Sequence, residues 1–213
     1  RLGLGEVEAL RYEKQENTDL PVTEKLLSNK IEHIVKRENF DPTVYEKEGF
    51  KLDVPKHLYN YGEIHNLCIE KGTLSDEERY KINEHVILSI KMLEKIPFPE
   101  HLQSIPEYAG THHETLIGTG YPRKLTKEEL SIPARIMAIA DIFEALTASD
   151  RPYKKAKTLS TSIKIMSFMV KDQHIDADLF KLFLTSGVYK DYAQKFLKPE
   201  QIDEVDVESY FNS

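Results

Sequence analysis

"SIPARIMAIADIFEALTASD", residues 131–150, is the stretch on which the fold reading turns. Ser131 is a natural N-cap, Pro133 suits a first helical turn, and Arg151-Pro152 closes the run because the residue before proline avoids helical angles. A helix over about 131–149 is predicted. Within it, positions 134, 138, 141, 145 and 148 read Ala, Ala, Asp, Ala, Ala, a 4-3-4-3 spacing that puts all five on one narrow stripe. Alanines let a second helix approach closely, so Asp141 falls in a poorly hydrated seam. A carboxylate there is costly unless it is paired or holds a cation. Asp141 therefore reads equally as a buried ion-pair partner or as a metal ligand.

The same reasoning extends outward. "TLSDEERYKINEHVILSIKMLEKIPFP", residues 73–99, offers Ser75 with Glu78 as a capping box and acidic residues at the positive end of the helix dipole. Pro97 and Pro99 stop it. Helical spacing of Leu27, Ile31 and Ile34 predicts a helix over 20–37. Further helices are expected from Pro106 to about Glu114, over 158–171 and over 177–196. A second capping box, Thr126 with Glu129, sits over a short turn. Residues 39–72, punctuated by Pro42, Gly49, Pro55, Gly62 and Gly72, read as irregular. The fold class is all-α, a helical bundle with an N-terminal helical arm. Residues 1–45 read as that arm or the remnant of an upstream segment, 46–200 as the helical domain, and 201–213 as an acidic tail, loose or docked as a strand.

Composition narrows the class. With 213 residues, 40% hydrophobic and 31% charged, the chain is that of a folded soluble domain. No apolar run is long enough to span a membrane. A single cysteine, Cys68, excludes an internal disulfide and fits a reducing compartment, so the expected location is the cytoplasm. The net charge of −7 argues against DNA or RNA as partner. The chain opens on Arg1 and not methionine, which reads as a processed product or a piece of something longer.

Four residues could carry metal chemistry. His85 lies beside Ile82 and Ser89 on a face with Leu88 and Met92, where a core histidine and a ligand are both sensible readings. His112 and His113 are adjacent; on a helix they would differ by about 100° in direction and reach one site only if it is broad, as a two-metal site is. The bland alternative is one core and one surface histidine. With Asp141 they make three imidazoles and a carboxylate, a set suited to iron, manganese or zinc. "DRPYKKAK", residues 150–157, adds Arg151 and Lys154 as a phosphate clamp or simply a solvated helix start. Metal plus clamp suggests metal-assisted phosphoester hydrolysis.

"HHETLIGTGYP" (112–122) followed by "IPARIMAIADIFEALTASDRPYK" (132–154) resembles the HD-GYP family of bacterial cyclic-dinucleotide phosphodiesterases, and "KGTLSDEERYKINEH" (71–85) resembles its segment ahead of a metal histidine. The likeness covers roughly residues 57–170. It implies a helical HD domain holding two or three divalent ions, commonly iron or manganese. Such a domain hydrolyses cyclic di-GMP, or in some members cyclic GMP-AMP, by attack of a metal-bound hydroxide. By resemblance His85, His112, His113 and Asp141 match metal ligands. Gly120, Tyr121 and Pro122, with Arg151 and Lys154, match substrate-binding positions. An upstream sensory or regulatory region is the expected company of such a domain, and the early helices are where a homodimer could form.

The chain departs from the family pattern in one decisive place. It contains no His-Asp dipeptide, although the family's His-Asp-x-Gly-Lys string should fall shortly before residue 71. Tyr59-Asn60-Tyr61-Gly62-Glu63 overlays it, making Tyr59, Asn60 and Glu63 the best-matched replacements; His57-Leu58 is a rival placement, and a dipeptide upstream of Arg1 a third. Ile117 and Glu144 stand where aspartates are common. The leading expectation is a phosphodiesterase for cyclic di-GMP. The alternatives are a degenerate module that binds nucleotide or a partner protein without turnover, and a general HD phosphohydrolase acting on mononucleotides.

Overall fold

A computed structural model of the chain describes residues 25, 27–38, 40–70, 72–149 and 156–211. Among these residues the structure is mostly helical. In chain order the helices are α1 (Pro42–Lys47), α2 (Glu63–Leu67), α3 (Asp76–Leu93) and α4 (Ile105–Gly110). They continue with α5 (Ile132–Thr147), α6 (Leu159–Lys171), α7 (Ala177–Thr185) and α8 (Val188–Phe196).

The capping signals hold where they are local. Ser75 accepts from the Glu78 N–H while Glu78 reaches back to the Ser75 N–H, closing the predicted box over α3. Ser131 caps α5 by accepting from the Ala134 N–H, and Thr126 with Glu129 forms the short box between.

Five expectations are corrected. The helix over 20–37 is, in its described part, a 3-10 turn (Ile31–His33) leading into strand β1 (Ile34–Lys36). β1 pairs antiparallel with strand β2 (His57–Asn60), Ile34 opposite Asn60, so the irregular stretch 39–72 holds a strand and two short helices. The supposed apolar face was misleading, since Leu27 and Ile31 are exposed. The run 177–196 is two helices, because Gly187 adopts a left-handed φ of 77° between them. The tail is docked without forming a strand. Gln201 is buried and donates to the carbonyls of Thr147 and Lys157, and Val205, Val207, Tyr210 and Phe211 pack on the core. Finally, the helix expected to reach Glu114 ends at Gly110, leaving His112 and His113 in the turn beyond it.

Two apolar cores organise these elements. The larger joins α5 through α8: Ile139 and Phe143 meet Leu159, Ile163, Met166, Phe180, Leu184 and Tyr189. The smaller puts Val86, Ile87 and Ile90 of α3 against Phe50, with Tyr121 packed on its edge. Each such buried side chain contributes about 1.5–3 kcal/mol. Asp176 is almost fully buried; it caps α7 and takes Arg135 at 2.7 Å and Lys127 at 3.2 Å.

One contact sets how α4 meets α3. A Cβ on Gly110 would lie 2.4 Å from Ile90 Cγ1, so only glycine lets the fully packed Ile90 seat against the end of α4. That approach delivers the next residues, 111–113, to the side of α3 that carries His85. Gly110→Ala should force Ile90 out of place and destabilise the chain by about 1–3 kcal/mol in denaturant unfolding.

Candidate metal centre

His85 projects from the middle of α3, and His112 and His113 from the turn after α4. Their rings converge: centroids are 6.0 Å apart for His85 and His112, 5.4 Å for His85 and His113, and 4.1 Å for His112 and His113. One ligating nitrogen from each lies within 4.8 Å of the others, the one such group of three or more His, Cys, Asp or Glu among the described residues. Because the pair lies in a turn, both rings reach one site without the broad spacing a helix would have imposed.

The donor set is oriented for an ion. Nδ1 of His85 contacts the Ile82 carbonyl, and Nδ1 of His112 contacts the Ala109 carbonyl at 2.7 Å. A carbonyl only accepts, so each Nδ1 carries the proton and each Nε2 presents a lone pair. This is the outer-shell arrangement that fixes the tautomer of metal-bound histidines. His113 is half-buried, and its pKa is held down to about 4, by burial first and then by His112, against the pull of Asp141. It is therefore neutral and able to ligate at neutral pH. The residues present fit a divalent cation.

Asp141 stands apart from the three-nitrogen group. Its carboxylate instead acts on His113 and Tyr121, opposing the depression of the histidine and adding to the burial that pushes the Tyr121 phenol up to about 12. The alanine stripe explains its setting. Ala134 and Ala138 are buried at one end, whereas Asp141 and Ala145 are only half-buried where the seam opens.

Tyr121 stacks on His113, with centroids 4.8 Å apart and rings 27° from parallel, and so forms a flat shelf beside the histidines. A sequence reading found Tyr121 but missed what holds it. Glu114 is 2% exposed, and its two carboxylate oxygens accept from the N–H groups of Arg123 at 2.7 Å and Leu125 at 3.0 Å. The Tyr121 N–H donates to the His113 carbonyl. Gly120 has no room for a Cβ, which would fall 2.5 Å from the Glu114 Cα and the His113 carbonyl oxygen. Pro122 is buried, and its carbonyl accepts from the Lys51 N–H at 2.7 Å. Periodicity offers no sign of Glu114; its place directly after two candidate ligands and before a glycine-rich turn is the only hint.

The residues overlaid on the missing His-Asp string have other occupations. Asn60 Oδ1 accepts from the Gly62 N–H at 3.0 Å, and Glu63 accepts from the Ser28 N–H at 2.9 Å. Tyr59 stacks on Tyr61. Asn60 ends β2, which packs on α3. Arg151 and Lys154 lie outside the described residues.

Residues 14–179 match the HD domain family, and the chain belongs to that family. It is 32% identical over 148 residues to 3'3'-cGAMP-specific phosphodiesterase 1 of Vibrio cholerae, covering 65% of this chain and 33% of that protein. It is 40% identical over 140 residues to a cyclic di-GMP phosphodiesterase of Pseudomonas aeruginosa, covering 65% and 30% respectively. A cyclic di-GMP phosphodiesterase of Thermotoga maritima is 36% identical over 110 residues, half of this chain and 29% of that one. The HD-GYP resemblance of the motifs agrees with these relatives. The aligned part spans about a third of their length. No helix among the described residues is long and apolar enough to cross a membrane.

Two measurements check this geometry. His113 has a folded pKa below the ordinary 6.5, so the unfolded chain takes up a proton that the folded one refuses between about 6.5 and 4. Its contribution stands in full above that window and is lost as pH falls through it. Urea unfolding of the metal-free chain should show this slope, and His113→Gln should flatten it. Glu114→Gln leaves one backbone N–H facing an amide NH2. It should cost roughly 1–3 kcal/mol and release Tyr121 from His113, seen as a change in the aromatic ring shifts.

Proposed function

We propose that this domain is a phosphodiesterase for a cyclic dinucleotide, cyclic di-GMP first, working at an ion held by His85, His112 and His113. The observation that carries the reading is the juxtaposition of three convergent imidazole nitrogens with the Tyr121 shelf. The named activities of the relatives support it, as do the motif strings from His112 to Lys154.

A divalent ion at the histidines, iron or manganese by family resemblance, would activate a water and offset charge on the phosphate. The protein's own part is positional. His85 and His112 are locked by their carbonyl contacts, so their Nε2 atoms need no reorganisation to ligate. His113 stays neutral and braces Tyr121. The phenol keeps its proton at neutral pH and donates a hydrogen bond, while its ring offers a face to a base. Asp141 completes the negative side of the site, as a further ligand or as a charge acting through His113. Gly120 and Pro122 shape the loop, and Arg151 with Lys154 grips phosphate oxygens.

Binding without turnover is the second reading, and one observation favours it. Asn60 and Glu63, at the positions of the missing string, are engaged in holding the 28–29 and 60–63 backbone. In both readings residues 46–200 carry the function, 1–45 form an arm and 201–213 a tail fastened to it. The setting is cytoplasmic, where a lone free Cys68 is stable and cyclic dinucleotides are met.

Elemental analysis of anaerobically purified chain, followed by a cyclic di-GMP hydrolysis assay, separates the readings. Bound metal with linear product supports the enzyme. Affinity for the dinucleotide without product supports the binding module, and neither metal nor affinity removes both. His112→Ala should lower bound metal. Arg151→Ala should weaken dinucleotide affinity about 10–100-fold and spare the metal, as judged by calorimetry and metal content.

A further inference from the structure

Behind the turn that carries His112 and His113 lies a small internal cavity, bounded by α5 and by the loop between α6 and α7. Its polar lining is Thr111, Glu114, Arg135, His174 and Asp176. The room inside, about 10 Å³ for the centre of a water molecule, suits one molecule and no more. In so small a space every lining residue lies next to the occupant.

Two groups of this lining have no evident place in the packing. Arg135 donates from Nη1 to Asp176, but its Nε–H is shielded from solvent and has no acceptor in the protein. A donor buried in that way is costly unless something accepts from it. His174 is the second. α6 ends in a Schellman turn, in which Gln173 takes a left-handed φ of 53° and the His174 N–H donates to the Met169 carbonyl at 2.8 Å. The residue after such a turn commonly packs an apolar side chain back on its helix. Here it is a half-buried imidazole, whose pKa burial holds below the ordinary value against the pull of Asp172. It is therefore neutral at neutral pH, with one donor and one acceptor nitrogen. The loop is also tied to the histidine turn. The Gln173 carbonyl accepts from the Leu116 N–H at 3.1 Å, and His174 is near enough to His113 to act on it electrostatically.

We propose that the cavity holds one ordered water, accepting from the Arg135 Nε–H and donating to His174 and Glu114, and that His174 is thereby a positioning residue for the turn bearing His113. The hydrogen bonds balance. The Glu114 oxygens accept from the Arg123 and Leu125 N–H groups and have lone pairs to spare, and the imidazole supplies the other acceptor. The water joins the Arg135–Asp176 pair to the carboxylate that fastens the histidine turn to the Tyr121 loop. Its bearing on metal binding rests on the proposed reading of the histidines as ligands; the water itself does not. The competing account makes His174 a space-filler, for which an apolar residue would serve as well.

The test starts on the metal-free chain by NMR. The Arg135 Nε–H and the His174 ring should show contacts to a long-lived water. His174→Leu supplies the apolar residue the turn accepts, so the urea midpoint should stay where it is. The Arg135 water contact should be lost and the His113 and Tyr121 ring resonances should move, with His174→Gln restoring both. Co²⁺ affinity of the histidines should fall about tenfold in His174→Leu and recover in His174→Gln. No water contact at the Arg135 Nε–H of the unaltered chain, or unmoved rings in His174→Leu, overturns the proposal; an unchanged Co²⁺ affinity overturns the positioning role. Should His174→Leu not fold, Arg135→Lys, which keeps a cation for Asp176 but removes the Nε–H, is read in its place. The same rings should move there, and unmoved rings overturn the proposal. An unaltered chain that binds no Co²⁺ counts against the metal reading alone, since the ring resonances still decide.

Discussion

The buried carboxylate of Glu114 is the contact on which the site depends. It lies between two things that have to be held together: the turn bearing His112 and His113, and the loop bearing Tyr121. By accepting from the Arg123 and Leu125 N–H groups it satisfies loop backbone that would otherwise be buried unpaired. Burial pushes its carboxyl up, and the backbone donors pull the other way. Only a group with two strong acceptor atoms can do this from one side chain, which is why neither an apolar residue nor an amide would serve as well. Gly120 answers the same demand from the opposite side, by leaving space for the Glu114 backbone to come close.

Around that contact the molecule divides its labour. The α5–α8 core and the docked tail pack together, joined by Gln201 at the end of α5 and by the Asp203 carboxylate at the start of α6. The smaller core of α3 and Phe50 supports His85 and the edge of Tyr121. Asp176, with Arg135 and Lys127, joins the start of α7 to α5; burial opposes its charge, but the Leu179 N–H and the two cations hold its carboxyl below the usual range. The three histidines therefore come from separate elements whose relative positions are set by packing, and the rings of His85 and His112 are oriented by nearby backbone carbonyls.

Departure from the family pattern at residues 59–63 acquires a physical meaning here. The side chains overlaid on the His-Asp string hold backbone, Asn60 closing its own turn and Glu63 holding Ser28, while nearby Asn29 accepts from the His65 N–H. This brings the 28–29 segment onto α2 and places β1 beside β2. A region that in the family pattern supplies ligands is, in this chain, a junction between its early segment and α3.

What the sequence alone determined was whatever is set over a few residues. Capping at Ser75, Thr126 and Ser131, the proline stops and the three imidazoles at 85, 112 and 113 were all legible, because capping and donor chemistry are local. The alanine stripe put Asp141 inside a poorly hydrated seam, whereas burial is reached only at Ala134 and Ala138 and Asp141 is half-exposed to its surroundings. Tertiary structure alone decided the rest. At Gly187 the buried positions jump from Phe180 and Leu184 to Tyr189 and Ala193, opposite faces of an uninterrupted helix, so the chain has to turn there for both pairs to reach one core. β1 exists because β2 is available to pair with it, and the tail docks because unpaired carbonyls at Thr147 and Lys157 await Gln201. The convergence of His85 with His112 and His113 rests on the space left by Gly110 beside Ile90, and the role of Glu114 on donors nine and eleven residues further along the chain. Such contacts are invisible in a linear pattern, since closeness in space there owes nothing to spacing in sequence.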